Sequence, residues 1–136
     1  MLALLAGNAR ADDNGAFSNA ELKVSTGEQV YQHICQGCHM PDGRGAVGAG
    51  RYPAFAGDPA LASTRYVTAT VLYGRRNMPS FIERPSGSGD LLPFMRAVSL
   101  GDEQIAGVVN YIRTHFGNHY SDKLTAADVA ALRQKK

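Results

Sequence analysis

The segment Cys35-Gln36-Gly37-Cys38-His39 is the part of the chain whose residue types and spacing could do chemistry. Cys35 and Cys38 are the only cysteines in 136 residues. A disulfide closing so short a loop would restrict the unfolded chain little, and a thioredoxin-like redox pair needs a βαβ context, for which no convincing strand is predicted. A structural zinc site needs four nitrogen or sulfur ligands, and this segment supplies three.

The remaining interpretation of the C-x-x-C-H spacing is a covalent haem attachment site. Thioethers from Cys35 and Cys38 would fix the vinyl edges of the porphyrin, and His39 would lie beneath the iron as its proximal ligand. The sequence therefore predicts one haem c, bound covalently through both cysteines.

The residues alone leave the ligand on the other face of the iron open. Met40 adjoins the proximal ligand and cannot reach that face, whereas a methionine near the middle of the chain, next to a proline and an aromatic residue, is well suited. Histidines on helices are more often solvent-facing or structural. The candidates are Met40, Met78, Met95, His33, His115 and His119. If neither Met78 nor Met95 reached the iron, the sixth site would be open, as in a gas sensor or a haem enzyme.

Four helices are predicted to position these residues. Ser25 and Glu28 have the spacing of a capping box at the start of a first helix that runs into Cys35. A second helix is predicted over residues 61–73, ending at Gly74.

The third helix has the strongest periodicity in the chain. Gly101 is its expected N-cap, with Gln104 at the third helical position and Gly117 as the stop. Its apolar residues recur at helical spacing, namely Ile105, Val108, Val109, Ile112 and Phe116. A final short helix over 126–134 is predicted from Thr125 and Asp128 as its cap.

Two Gly/Pro-containing stretches, 41–59 and 75–101, connect these helices, and the first has few apolar side chains of its own. The first would have to be ordered by a ligand or a covalent neighbour. The second is longer than most internal connections, which indicates a functional or partly mobile segment. With so little apolar core, a large apolar group is expected to complete the fold.

The N-terminal residues indicate an exported protein. Residues 1–11 (MLALLAGNARA) resemble the end of a signal peptide, with Ala9-Arg10-Ala11 as a cleavage site. Residues 12–24 are then an N-terminal arm, 25–117 the main domain and 118–136 a C-terminal extension. The apolar run is too short to span a membrane. The net charge of +2 gives no case for nucleic acid or an anionic membrane as the main partner.

Residues 25–117 resemble a class I monohaem c-type cytochrome of the bacterial periplasmic kind. Gly27, Tyr31 and Cys35 match the family's G-x-x-x-aromatic-x-x-x-C first helix, and Val108 and Tyr111 match the apolar-x-x-aromatic positions of the last helix. The resemblance implies an all-α class I cytochrome c fold of three to four helices, with Gly/Pro-rich loops around one covalent haem.

Two further segments carry implied site residues. The stretch R51-Y52-P53-A54-F55-A56-G57 is similar to the loop whose proline carbonyl, here that of Pro53, orients the proximal histidine. The stretch Y73-G74-R75-R76-N77-M78-P79-S80-F81 is similar to the G-x-x-x-M-P-x-F segment that supplies the axial methionine. The resemblance thus favours Met78 as the ligand, with Phe81 packed beside it and Met95 as the alternative.

The chain departs from the family's pattern in one segment. About twenty residues separate Phe81 from the last helix, more than the family has, so 82–99 reads as an insertion. It is either a tolerated surface loop or a docking element or lid over the methionine side of the haem.

Arg51, Arg75 and Arg76 are candidates to pair with the haem propionates, because guanidinium groups bind carboxylates in bidentate fashion.

By this resemblance the protein is expected to be a periplasmic one-electron carrier and not an enzyme. Its sequence looks most similar to small cytochrome subunits or acceptors of flavin- or quinone-dependent dehydrogenases, which would donate its electrons. Another cytochrome or a terminal oxidase of the respiratory chain would accept them. The protein is not expected to span the membrane.

Overall fold

The computed structural model describes residues 26–82 and 98–134. The predicted leader 1–11, the arm 12–24, Met95 and most of the insertion lie outside the described residues. In the described part the helices dominate: α1 (Gly27–Val30), α2 (Gln36–His39), α3 (Thr64–Tyr73), α4 (Asp102–Thr114) and α5 (Ala126–Gln134). None of them is long and apolar enough to cross a lipid bilayer.

The first helix begins one residue later than predicted. Thr26, not Ser25, is the N-cap: its Oγ1 accepts a hydrogen bond from the Gln29 N–H at 3.2 Å, and Gln29 Oε1 accepts one from the Thr26 N–H at 2.8 Å. The sequence contains two overlapping capping boxes, and the structure uses the second. Glu28 instead accepts a bond from the Gln32 side chain.

A π-helical turn, Tyr31–Cys35, joins α1 to α2 without a break. A π turn inserts one residue into the helical register, and such turns are frequent at functional sites. Here it begins at the buried Tyr31, which is 1% exposed, and ends at Cys35. The helical segment 27–39 therefore anchors itself in the core at one end and presents Cys35 and Cys38 at the other.

The expectation of no strand is wrong in one place. Within the Gly-rich loop, β1 (Ala46–Val47) pairs antiparallel with β2 (Arg51–Tyr52), with Ala46 opposite Tyr52 and Val47 opposite Arg51. Two-residue strands carry no readable alternation, so the sequence pattern could not reveal them.

The second predicted helix is divided in two. A 3₁₀ turn (Pro59–Ala62) precedes α3, and Ser63 caps α3 by accepting the Tyr66 N–H. Gly74 ends α3 as predicted, with φ of 71°.

The core forms where the helical segment 27–39 crosses α4. At the crossing the backbones touch, since a Cβ built on Gly27 would lie 2.0 Å from the Gly107 carbonyl oxygen. Gly101 is the N-cap of α4, as predicted, and its N–H donates a hydrogen bond to Gln104 Oε1 at 2.9 Å. The predicted stripe is buried at its first four positions, Ile105, Val108, Val109 and Ile112, while Phe116 is partly buried.

The chain beyond α4 packs on the same core. The Thr125–Asp128 cap is present, and Val129 on α5 is fully buried. The Asn110 side chain exchanges two hydrogen bonds with the backbone of Leu124. Residues 118–134 therefore contribute apolar and polar contacts to one continuous structure.

Arg113 ties three segments together from inside the core. Its guanidinium, 1% exposed, donates to the Leu61 carbonyl at 2.9 Å, to the Asp122 carbonyl at 2.8 Å and to the Asp122 carboxylate at 2.5 Å. Thr64 also donates to that carboxylate, and these hydrogen bonds lower the pKa of Asp122 to about 2. A buried guanidinium needs such partners, since an unpaired buried charge is strongly destabilising.

The two residues that flank the insertion are close together. The Leu100 N–H donates to the Phe81 carbonyl at 2.9 Å, and the Phe81 N–H donates to the Val71 carbonyl at 3.1 Å. Phe81 and Leu100, which flank the stretch 82–99 in sequence, are thus hydrogen-bonded to each other beside α3.

Candidate haem-binding site

Cys35 and Cys38 lie one turn apart on the helical segment 27–39. Cys35 is half-buried and Cys38 exposed, and no disulfide joins them. Burial raises the pKa of the Cys35 thiol to about 12, with the Cys38 charge adding to the effect. Among the described residues no group of three or more His, Cys, Asp or Glu side chains is arranged to hold a metal ion, so these thiols and His39 do not converge as a zinc site would.

His39 is held at the buried end of α2. Its ring is 8% exposed, its Nδ1 lies 3.2 Å from the Pro53 carbonyl oxygen, and the Phe55 ring stacks on it at 4.5 Å between centroids. A carbonyl only accepts, so Nδ1 carries the proton and Nε2 keeps its lone pair. Burial lowers the pKa of His39, while the bond to Pro53 opposes that shift. The result is a neutral, oriented imidazole, the form that ligates metals.

The chain after His39 turns back sharply to bring Pro53 to the imidazole. The Gly45 N–H donates to the His39 carbonyl at 3.0 Å, and a Cβ on Gly45 would lie 2.1 Å from the Tyr52 carbonyl oxygen. Gly45 also has φ of 67°, which favours glycine. The Tyr31 hydroxyl donates to the Met40 carbonyl at 2.7 Å and ties the turn to the core. These contacts account for the glycine at position 45.

Met78 lies in a tight turn directly after α3. Its N–H and C=O both bond to the backbone of Arg75, at 3.0 and 3.1 Å. Gly74 is required here, because a Cβ would lie 2.6 Å from the Met78 carbonyl oxygen. The side chains of Met78 and Phe81 are partly buried against the core. The turn therefore holds Met78 at the edge of the apolar core.

The arginines named from the sequence are all exposed. Arg51 lies on β2, and the guanidinium of Arg75 lies 5.7 Å from the centre of the Tyr66 ring. Arg76 occupies the turn before Met78 with φ of 54°. Two of the three are thus close to the methionine turn and one is on the Gly-rich loop.

Sequence reasoning missed three residues that support His39. Phe55 stacks on the imidazole, although the sequence motif contained it only as a loop residue. Tyr31 was identified for helix packing, and its hydroxyl bond to Met40 carries no sequence signal. Asn118 is buried and donates a hydrogen bond to the Phe55 carbonyl. No motif in the surrounding sequence indicates this contact.

Comparison with known proteins gives matches over most of this chain. A family model described as "Cytochrome c" matches residues 24–116. The fructose dehydrogenase cytochrome subunit of Gluconobacter japonicus is 31% identical over 79% of this chain and 22% of its own length. The gluconate 2-dehydrogenase cytochrome c subunit of Pantoea cypripedii is 35% identical over 80% and 24%.

Cytochrome c-552 of Thermus thermophilus is similar over most of its length, at 32% identity across 85% of this chain and 79% of that protein. By contrast, this chain spans only about a quarter of the length of the dehydrogenase subunits it matches. The similarity to those larger proteins therefore concerns one cytochrome unit within them.

The residues present fit a haem c. The two thiols are of the type that forms thioethers, and His39 offers a free Nε2 beside them. The side chains of Ile34, Cys35, Met78 and Phe81 pack against the core and remain partly exposed. A bound porphyrin would cover partly exposed apolar side chains of this kind.

Proposed function

Because the chain belongs to the cytochrome c family, and is thus an electron-transfer protein carrying haem c on Cys35 and Cys38, we propose that His39 and Met78 ligate its iron. The single observation that carries this proposal is the placement of His39, which is 8% exposed and has its Nδ1 3.2 Å from the Pro53 carbonyl oxygen. Such a bond fixes the ring and raises its basicity as a ligand.

When bound, haem c supplies the one-electron couple between ferrous and ferric iron. The chain's part would be to hold His39 and Met78 in place as iron ligands in both oxidation states. His39 is held by Pro53 and Phe55, and the backbone of Met78 is held by Arg75. A thioether ligand also stabilises ferrous iron relative to a second histidine, which raises the reduction potential.

Support for Met78 over Met95 comes from its surroundings. The turn that holds it follows α3 directly, and Phe81, three residues on, packs on the core beside it. The test is the optical spectrum of the ferric holo-protein and of two matched variants. Met78→Ala should abolish the sulfur-to-iron charge-transfer band, while Met95→Ala should leave it unchanged. The reverse pattern would assign the ligand to Met95.

Binding of carbon monoxide tests the alternative of an open sixth site. A ferrous iron with both axial positions occupied binds carbon monoxide slowly. Wild-type protein should therefore resist carbon monoxide, and Met78→Ala should bind it readily. Ready binding by the wild type would instead favour a gas sensor or a haem enzyme.

The proposed electron donor is a flavin- or quinone-dependent dehydrogenase. Support comes from the matched relatives, which are cytochrome subunits of fructose and gluconate dehydrogenases. The chain's net charge of +2 is small, so docking should depend modestly on salt. Stopped-flow reduction by a dehydrogenase of each class, with its substrate and at two ionic strengths, would test this; reduction no faster than by a substrate-free enzyme would contradict it.

We further propose that the protein works in the periplasm and passes its electrons to another cytochrome or a terminal oxidase. The signal-peptide-like residues 1–11 support export. The exposed guanidinium groups of Arg51, Arg75 and Arg76 are proposed partners of the haem propionates. Fractionation of cells expressing the full chain, with haem staining of each fraction, tests the location.

A further inference from the structure

A buried amide lies behind the loop that orients His39. The Asn118 side chain is 5% exposed, and its Nδ2 donates to the Phe55 carbonyl at 3.0 Å and, more weakly, to the Ile112 carbonyl at 3.4 Å. The backbone is bent to bring it there, since Phe116 has φ of 57° and Gly117 has φ of 81°. A non-glycine residue in that region costs conformational energy. Asn118 lies just beyond the residues that the family model matches.

Phe55, the residue that Asn118 holds, is the link to the histidine. Its N–H donates to the Gly43 carbonyl at 2.8 Å, and its ring is stacked on the His39 imidazole at an interplanar angle of 23°. Its backbone is two residues from Pro53, whose carbonyl accepts from His39 Nδ1. Phe55 is thus anchored on one side by the loop after His39 and on the other by Asn118.

We propose that Asn118 is a positioning residue for the proximal histidine. By fixing the Phe55 carbonyl, it holds the Phe55 ring against the imidazole and the Pro53 carbonyl at its Nδ1. In the described part of the chain Asn118 makes no hydrogen bond to His39, Cys35 or Cys38, and it acts on His39 through the Phe55 carbonyl. This inference rests on the proposed function, in which His39 ligates the iron.

The expected consequence is a change in the balance between oxidation states. A firm Nδ1–H bond makes the imidazole a more basic ligand, which favours the more positive ferric iron. Asn118→Ala should loosen that bond and raise the ferrous-to-ferric ratio at a fixed potential about threefold. This corresponds to roughly 28 mV, because tenfold is 59 mV for a one-electron couple.

Asn110 provides a matched control. Its side chain also makes two hydrogen bonds to distant backbone, with Nδ2 donating to the Leu124 carbonyl at 2.8 Å and Oδ1 accepting the Leu124 N–H at 2.9 Å. Those bonds hold the chain before α5 and do not involve Phe55 or Pro53. Asn110→Ala should therefore lower the denaturation midpoint as Asn118→Ala does, without changing the potential.

The experiment compares holo wild type, Asn118→Ala and Asn110→Ala by spectroelectrochemical titration and by NMR of the His39 ring. We expect a higher potential and faster solvent exchange of the His39 Nδ1–H in Asn118→Ala alone. If that variant fails to fold, Asn118→Ser, whose hydroxyl is too short to reach the Phe55 carbonyl, replaces it.

The outcomes separate the two proposals. Equal potentials and equal exchange rates in the Asn118 and Asn110 variants, with histidine ligation intact in the wild type, would overturn the role of Asn118 alone. Wild-type resonances showing that His39 does not ligate the iron would overturn the proposed ligand set and this inference together.

Discussion

The contact between Gly27 and Gly107 gives the sharpest test of the helix crossing that supports the site. In Gly27→Ala the new Cβ would lie 2.0 Å from the Gly107 carbonyl oxygen and 2.3 Å from its carbon. Both are backbone atoms and cannot rotate away. The helical segment 27–39 and α4 would have to separate by about 1 Å, since contacts under about 3 Å are strongly repulsive.

The cost follows from the side chains buried across that crossing. Val30, Tyr31 and Val108 are at most 1% exposed, and burial of each contributes about 2 kcal/mol. A gap of up to about 1 Å loses a quarter to a half of the contact energy at each. Gly27→Ala should therefore lower the free energy of unfolding by roughly 1.5–3 kcal/mol, measured by guanidinium denaturation of the holo-protein.

Gly37→Ala is the matched control for this prediction. Gly37 is also helical, and a Cβ there meets nothing within 4 Å. The substitution should leave stability unchanged or raise it by up to about 1 kcal/mol. The haem content of both variants must be equal before they are compared. Equal denaturation midpoints for Gly27→Ala and Gly37→Ala would refute the close crossing.

Three further predictions concern the rest of the chain. Val129→Ala, which empties a fully buried position on α5, should cost about 2 kcal/mol in urea denaturation; no loss would mean that α5 does not pack on the core. The carboxyl of Asp122 has a folded pKa of about 2, below the unfolded value of about 3.9. The ionised carboxyl thus contributes its full stabilisation above the unfolded pKa and loses it as the pH falls toward 2. The denaturation midpoint of the wild type should therefore fall more steeply over that pH range than the midpoint of Asp122→Asn. Parallel curves of midpoint against pH would contradict this. Replacing 83–97 with a four-residue Gly/Ser linker should preserve the haem spectrum and raise the free energy of unfolding by about 1 kcal/mol, because closing a shorter loop costs less conformational entropy. Loss of the folded holo-protein would show that the insertion is required for folding.

Much of the fold was predictable because its signals are local. The stripe of α4 and the cap formed by Thr125 and Asp128 depend on neighbours within a turn or two, and both predictions are confirmed. The error at the first cap arose because Ser25 and Thr26 each begin a valid capping box. The hairpin of β1 and β2 was missed because strands of two residues have no period to detect.

The amino-acid sequence by itself determined the chemistry of the site: the spacing of Cys35, Cys38 and His39 follows from the need of three groups to meet one rigid macrocycle. Only the tertiary structure decided how His39 is held, through contacts with residues 14 to 16 positions along the chain, Pro53 and Phe55, and through the bond from Asn118, 63 positions beyond Phe55. Those contacts depend on sharp backbone turns and on the crossing of the helical segment 27–39 with α4. Neither the turns nor the crossing produces a periodic pattern in the sequence. The hydrogen bond from Asn118 leaves no pattern either, because the partner of a buried amide is set by position in space and not by neighbours in the chain.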